Sequence, residues 1–196
     1  MSGASNIVLV GPPRVGKTTV IQKVMTFFAG RCGGFYTQAA QKTYHTNFRV
    51  VCVDGRERTQ TGSDLFHRLE VGLAYNQRLL EEVAVPAVHQ AIVSRAVVLI
   101  DQIGTWELES VAFRQAVQAV LDSPRILLAT ATTSGHPFLE AFKSRPDVQV
   151  FTVSEANRST LPDKVGRALL SRLGSASRAQ SSVQFEGSLG DVDHSM

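Results

Sequence analysis

Short apolar runs alternate with stretches of helical periodicity along most of the chain. The apolar runs predict strands, several of them buried on both faces. They lie at 6–10, 33–37, 47–55, 96–101, 125–132 and 148–153. The stretches with apolar residues at helical spacing lie at 17–29, 74–94, 110–122 and 161–173. This alternation predicts a three-layer α/β domain: a mostly parallel sheet with helices on both faces and ligands outside the carboxyl ends of its strands.

Two features modify this simple alternation. The runs at 33–37 and 47–55 have only the polar segment 38–46 between them, so we expect an inserted β-hairpin. Pro86 stands inside the helical segment 74–94, where it should kink or interrupt the helix because it cannot donate to the backbone ladder.

The chain of 196 residues is long enough for one well-buried domain. We place that domain at residues 1–173. From residue 174 to 196 the sequence is rich in Ser and Gly and has no periodicity, which predicts a disordered tail.

Composition and charge restrict the function only mildly. The net charge of +3 includes no basic block of the kind that binds nucleic acid, and no apolar run is long enough to cross a bilayer. Cys32 and Cys52 form no disulfide or zinc pattern, and the first strand starts too early for a signal peptide. The five histidines lack metal-ligand spacing. We therefore expect a cytoplasmic monomer without a nucleic-acid or membrane partner, although a protein partner stays open.

The segment "GPPRVGKTT" between the first strand and the first helix has the spacing of a phosphate-binding loop. Such a loop turns backbone N–H groups toward the phosphates at a helix N-terminus. Lys17 should reach the β- and γ-phosphate oxygens, and the Thr18 hydroxyl should bind Mg²⁺. The residues expected to hold the nucleotide are Gly11, Pro12, Pro13, Arg14, Val15, Gly16, Lys17, Thr18 and Thr19.

A second acidic residue is needed to hold the metal, at the end of a neighbouring buried strand. Asp101 closes the run "AVVLI" and is the candidate, the alternative being a carboxylate that caps a turn. Gln102 follows it, where some hydrolases have a Glu that activates water. An amide cannot accept the proton, but it can orient water by hydrogen bonding. Glu107 and Glu109 could substitute, although a solvated helix start explains both equally well.

The chain resembles the small P-loop nucleoside-triphosphatase family that includes the cancer-related nucleoside-triphosphatase and its thermostable prokaryotic relatives. The matching stretches occur in the family's order, as "GPPRVGKTTVIQKV", "GGFYT", "VGLAYN", "VAVPAV", "VVLIDQIGTWEL" and "RPDVQVFTVSEANRSTL". The resemblance implies a RecA-like sheet and slow, broad-specificity, Mg²⁺-dependent hydrolysis of nucleoside triphosphates to diphosphates and phosphate. It also implies the Gln102 position as the catalytic acid, beside Lys17 and Asp101, which the motifs themselves indicate as catalytic residues.

Several positions depart from the family pattern. Arg14 stands where the family has Gly, so a positive φ there would carry a strain of about 1 kcal/mol. The segments 38–41 and 45–48 lack the family's charged residues, and Gln102 replaces a glutamate. Nucleotide-holding residues are retained while these neighbourhoods are altered, which favours retained binding with weakened chemistry.

Three further residues have alternative interpretations. Arg158 matches the family's Asn-Arg pair and could stack on the base, or it could be a surface arginine. Thr132 could sense the γ-phosphate or simply end a strand. Trp106 could shield the nucleotide, but partial core packing is favoured.

The sequence is compatible with three functions. The first is a Mg²⁺-dependent nucleoside-triphosphatase acting on ATP and GTP with broad base specificity. The second is a catalytically impaired nucleotide-binding module that acts through a partner. The third is a small P-loop nucleotide kinase, for which only residues 55–68 could supply an Arg-containing lid. No Asn-Lys-x-Asp guanine-reading motif is present.

Overall fold

A six-stranded sheet organises the protein. A computed structural model describes residues 5–39, 48–53, 77, 79–133 and 135–186, without the side chains of 38–39, 48–49 and 176–186. The strands are β1 (Asn6–Val10), β2 (Cys32–Ala39), β3 (Phe48–Val53), β4 (Val97–Ile103), β5 (Ile126–Ala131) and β6 (Val148–Thr152). Their spatial order is β3-β2-β4-β5-β1-β6. All neighbouring pairs are parallel except β2 with β3, which form the predicted antiparallel hairpin at one edge.

Helices cover both faces of this sheet. The α-helices are α1 (Lys17–Thr26), α2 (Val85–Ser94), α3 (Val111–Leu121), α4 (Pro137–Lys143) and α5 (Leu161–Glu186), with a π-helix at Leu80–Ala84 and a 3₁₀ turn at Glu107–Glu109. Helices α1 and α5 pack on one face and the remaining α-helices on the other, which gives one apolar core on each side. The three-layer P-loop α/β prediction is confirmed. None of the described helices is both long and apolar enough to cross a membrane.

Pro86 does mark a change of structure within the predicted helix 74–94. It is the second residue of α2 and directly follows the π-helix, so its missing N–H falls where the backbone hydrogen bonding changes from one helix type to the other. Residues 74–76 and 78 lie outside the described part of the chain. The predicted interruption therefore occurs as a change in helix type rather than as a break.

Two other predictions need correction. The run 148–153 was expected to be a buried strand, but β6 is a sheet edge whose side chains alternate between more and less exposed positions, with Val150 exposed. The last helix was expected to end at residue 173, yet α5 continues to Glu186. Extending an existing helix adds one hydrogen bond per residue without a new nucleation cost, so a Ser- and Ala-containing segment can continue it. Residues 187–196 lie outside the described part.

Candidate nucleotide-binding site

The segment 11–19 forms a tight loop between β1 and α1. Gly16 is the N-cap residue of α1 with φ 109°, and Arg14 has φ 63°. The positive φ expected at Arg14 is thus present. A Cβ at Gly11 would lie 2.7 Å from the carbonyl oxygen of Val153, so only glycine lets the loop approach the end of β6 so closely. The Val15 side chain packs into the core, which leaves only its backbone to face a ligand.

Lys17 is held in this loop by its backbone. The Lys17 Nζ donates hydrogen bonds to the carbonyl oxygens of Gly11 at 2.8 Å and Pro12 at 2.9 Å. The residue is only 7% exposed. Burial lowers the pKa of Lys17, and the charge of Asp101 opposes that shift. A positive charge so poorly solvated is available to a phosphate that enters the loop.

Asp101 is the carboxylate that faces the loop from β4. It is 1% exposed, and three donors point at it: the hydroxyls of Thr130 and Thr18 and the backbone N–H of Thr37, the last at 3.4 Å. Burial raises the pKa of Asp101, while these hydrogen bonds and the charge of Lys17 act against the rise. The carboxylate is therefore fixed in orientation beside Thr18.

The sheet order explains how these groups meet. Strand β5 lies between β1, which leads into the loop, and β4, which carries Asp101. The three strands are parallel, so their carboxyl ends share one edge of the sheet. Thr130 of β5 connects the two by its hydrogen bond to Asp101.

Asp101 and Thr18 fit a magnesium ion. A carboxylate and an aliphatic hydroxyl in hydrogen-bond contact offer the oxygen ligands that Mg²⁺ prefers, and Mg²⁺ usually needs only one or two protein ligands beside substrate phosphates.

A second group of side chains surrounds Gly104, just after β4. A Cβ placed on Gly104 would lie 2.5 Å from Glu107 Oε2, 3.0 Å from Gln102 Nε2 and 3.3 Å from Thr132 Cγ2. Burial raises the pKa of Glu107, the backbone N–H groups of Glu107 and Gly104 oppose that rise, and the charge of Asp101 adds to it. Gln102, Thr132 and Glu107 thus converge next to Asp101, whereas Glu109 is exposed.

Arg158 lies beside the phosphate loop. Its Cδ is 3.6 Å from the position that a Gly16 side chain would take, although the residue as a whole is exposed. Asn157 fixes the turn before it, accepting from the Ser154 N–H and donating to the Thr152 carbonyl, both at 2.9 Å.

Two hydrogen-bond donors to Asp101, Thr130 and Thr37, were not predicted from the sequence. Thr130, a polar residue inside the apolar run of β5, was a usable signal for a hydrogen bond to Asp101. Thr37 gave none, because its contact is through the backbone. Trp106 is half-buried, in keeping with the favoured partial packing. The altered segments 38–41 and 45–48 and the lid candidate 55–68 lie largely or wholly outside the described side chains.

Comparison with known proteins agrees with this geometry. The model of a family described as NTPase matches residues 6–166. Nucleoside-triphosphatase THEP1 of Thermotoga sp. (strain RQ2) is 35% identical over 161 residues, covering 81% of this chain and 92% of the relative. The cancer-related nucleoside-triphosphatase homolog of Mus musculus is 35% identical over 186 residues, covering 85% and 98%.

A solved structure aligns over a similar span. The solution structure of a human cancer-related nucleoside triphosphatase superposes with a TM-score of 0.66 at 30% identity, covering 86% of this chain and 98% of the other. The family match spans residues 6–166, which include the phosphate loop and Asp101. The chain therefore belongs to the NTPase family of small P-loop proteins.

Proposed function

We propose that the protein is a Mg²⁺-dependent nucleoside-triphosphatase that hydrolyses nucleoside triphosphates to diphosphates and phosphate. The observation that carries this proposal is that the phosphate loop, which contains buried Lys17, contacts the buried carboxylate of Asp101 through the Thr18 hydroxyl. Lys17 is held by the carbonyls of Gly11 and Pro12, and the charge of Asp101, which accepts from the Thr18 hydroxyl, acts on it. The names of the relatives support the same reaction.

Each of these groups has a role in the proposed reaction. Backbone N–H groups of residues 11–19 would bind the phosphates, and the Lys17 ammonium would exchange its carbonyl partners for β- and γ-phosphate oxygens. Asp101 and Thr18 would hold Mg²⁺, which when bound neutralises charge that develops on the phosphates. Arg158, beside the loop, would contact the nucleotide on its base side. Stacking on a base is tolerant of base identity, which supports broad specificity for ATP and GTP.

Gln102 sets the expected rate. It follows Asp101 directly and its amide points toward the space around Gly104. An amide orients water but takes no proton, so Gln102 cannot itself supply the assistance of about 10²–10⁴-fold that a general base typically gives, and the proton must pass to another group. We therefore propose slow turnover. We also retain a monomeric, cytoplasmic protein as our expectation.

A phosphate-release assay tests this function. The parent should release phosphate from Mg²⁺ complexes of ATP, GTP, CTP and UTP without any acceptor, and Lys17→Ala should abolish release. Lys23→Ala is the matched control, because Lys23 is an exposed lysine in the last turn of the same helix. Release that is equal in parent and Lys17→Ala would refute hydrolysis at this loop.

Gln102 also favours a second candidate, a nucleotide-binding module that signals through a partner. That function requires tight Mg²⁺-nucleotide binding without release above the Lys17→Ala level. Single-turnover release from a saturated complex separates the two, because a module retains its triphosphate.

A further inference from the structure

We propose that Glu107 is the general base of this site and that Gln102 orients the water that Glu107 deprotonates. This inference rests on the proposed hydrolysis. Gln102, which directly follows Asp101, cannot accept a proton. The proposal therefore assigns the proton acceptor to a different residue, Glu107.

The space around Gly104 brings the two side chains together. Glu107 Oε2 and Gln102 Nε2 lie 2.5 Å and 3.0 Å from the same point, the position of an absent Cβ. The two atoms are therefore within about 5.5 Å of each other, a span that one water molecule can bridge by two hydrogen bonds. A Cβ at residue 104 would meet both side chains, so glycine leaves room for them to come this close.

The position of Glu107 in its turn supports the assignment. Glu107 and Glu109 belong to the same 3₁₀ turn, but Glu107 faces the site and Glu109 faces solvent. The carboxylate of Glu107 accepts from the backbone N–H groups of Gly104 and of Glu107 itself, and it is close enough to Asp101 for their charges to interact. These N–H groups hold one end of the carboxylate and leave oxygen lone pairs for water.

The chemical step balances with these groups. The water oxygen, positioned by the Gln102 amide, forms a bond to the γ-phosphorus as the bond from that phosphorus to the β-bridging oxygen breaks. The water proton passes to the Glu107 carboxylate. The products are a nucleoside diphosphate and inorganic phosphate, and half-buried Glu107 then returns its proton to solvent.

A set of five full-length proteins tests the proposal: the parent, Glu107→Gln, Glu109→Gln, Gln102→Glu and the double variant Gln102→Glu/Glu107→Gln. Glutamine at 107 retains an oxygen that accepts the turn's N–H groups but cannot take a proton. Single-turnover phosphate release from saturating Mg²⁺-ATP is measured beside the affinity for Mg²⁺-ADP and the melting temperature. We expect Glu107→Gln to slow release by about tenfold or more and Glu109→Gln to leave it within about twofold.

The double variant distinguishes the loss of a general base from a structural disturbance of the 3₁₀ turn that contains Glu107. We expect Gln102→Glu to restore release in the Glu107→Gln background to the parent's level or above, with unchanged affinity for Mg²⁺-ADP. Release that stays low in the double variant, or a parallel loss of affinity or melting temperature in Glu107→Gln, would show a structural role and overturn the proposal. Phosphate release by Glu107→Gln at the parent's rate, while Lys17→Ala is inactive, would also overturn the proposal. If the parent itself releases no more phosphate than Lys17→Ala, the proposed hydrolysis falls as well.

Discussion

At the scale of single residues, Lys17 and Asp101 are two ionisable groups that the fold removes almost entirely from water. Burial lowers the pKa of the lysine and raises that of the aspartate, so each charged form is disfavoured relative to the unfolded chain. Their mutual attraction and the hydrogen bonds to Asp101 offset this only in part. We propose that a phosphate chain and a divalent cation supply the missing counter-charges, so that this pair contributes to ligand binding rather than to the stability of the fold.

Removal of the Lys17 ammonium should weaken nucleotide binding. Lys17→Ala leaves the loop without its point charge, and a charge-assisted hydrogen bond is worth about 1.5–3 kcal/mol. We expect the affinity for Mg²⁺-nucleotide to fall at least about tenfold in calorimetric titration, while Lys23→Ala binds like the parent. Equal affinity of Lys17→Ala and the parent would remove the phosphate-loop interpretation.

Asp101→Asn should stabilise the nucleotide-free protein at neutral pH. Because the folded state raises the pKa of Asp101, it binds the proton more tightly than the unfolded chain, and stability falls as pH rises from the ordinary carboxyl range through the folded pKa. The amide does not titrate, so its advantage should appear above that interval and vanish below it. Thermal melts of both proteins across pH, in chelator, measure this difference. For a domain of this size, a difference of 1 kcal/mol in unfolding free energy shifts the melting temperature by about 2–4 °C. A constant or reversed difference would contradict the burial argument.

Backbone strain at Arg14 is testable with a matched pair. Arg14 is exposed and has φ 63°, a region that costs a residue with a Cβ about 1–2 kcal/mol relative to glycine. We expect Arg14→Gly to be more stable than Arg14→Ala by about 1 kcal/mol in denaturant unfolding. At most positions the order is the reverse, because glycine loses more backbone entropy on folding than alanine does. A glycine variant that is less stable than the alanine variant would show that the loop adopts another backbone conformation.

At the scale of elements, apolar patterning located the strands and helices well, and it failed where the deciding factor is not local. Strands β1 and β4 stand out because each contains a continuous run of four apolar residues. The edge position of β6 depends on which strand it pairs with, and the run 148–153 carries no sign of that. The π-helix before Pro86 arises from backbone hydrogen bonding that side-chain periodicity does not distinguish from an α-helix.

The last helix allows a prediction about the end of the chain. The buried positions of α5 within its described side chains are Leu161, Pro162, Val165, Leu169 and Leu173, and residues 174 and 175 are exposed. Truncation after residue 173 should therefore change the melting temperature and nucleotide affinity very little, even though the helix continues to Glu186. Leu169→Ala, which should cost about 2–5 kcal/mol, is the destabilising control. A drop of several degrees on truncation would show that residues 174–196 dock on the domain.

At the scale of the whole molecule, the site is assembled from segments far apart in the chain, and only part of it could be predicted from sequence. The phosphate loop is a local motif, and Asp101 was identified because it ends an apolar strand. That β5 lies between the two strands, and that Thr130 and Thr37 orient Asp101, are consequences of strand order. Glu107 was one of two acidic candidates in the sequence, and only the fold separates it from exposed Glu109.

We propose that this protein holds a triphosphate with a complete binding apparatus and cleaves it slowly because Gln102, directly after Asp101, cannot take the proton of water and leaves that step to Glu107 alone. Single-turnover phosphate release from saturating Mg²⁺-ATP, compared between the parent and Gln102→Glu at matched affinity, tests it most directly. We expect slow release by the parent and release faster by about tenfold or more in Gln102→Glu, since the added carboxylate lies beside the water position. Rapid release by the parent, or a glutamate variant that is no faster, would contradict the claim.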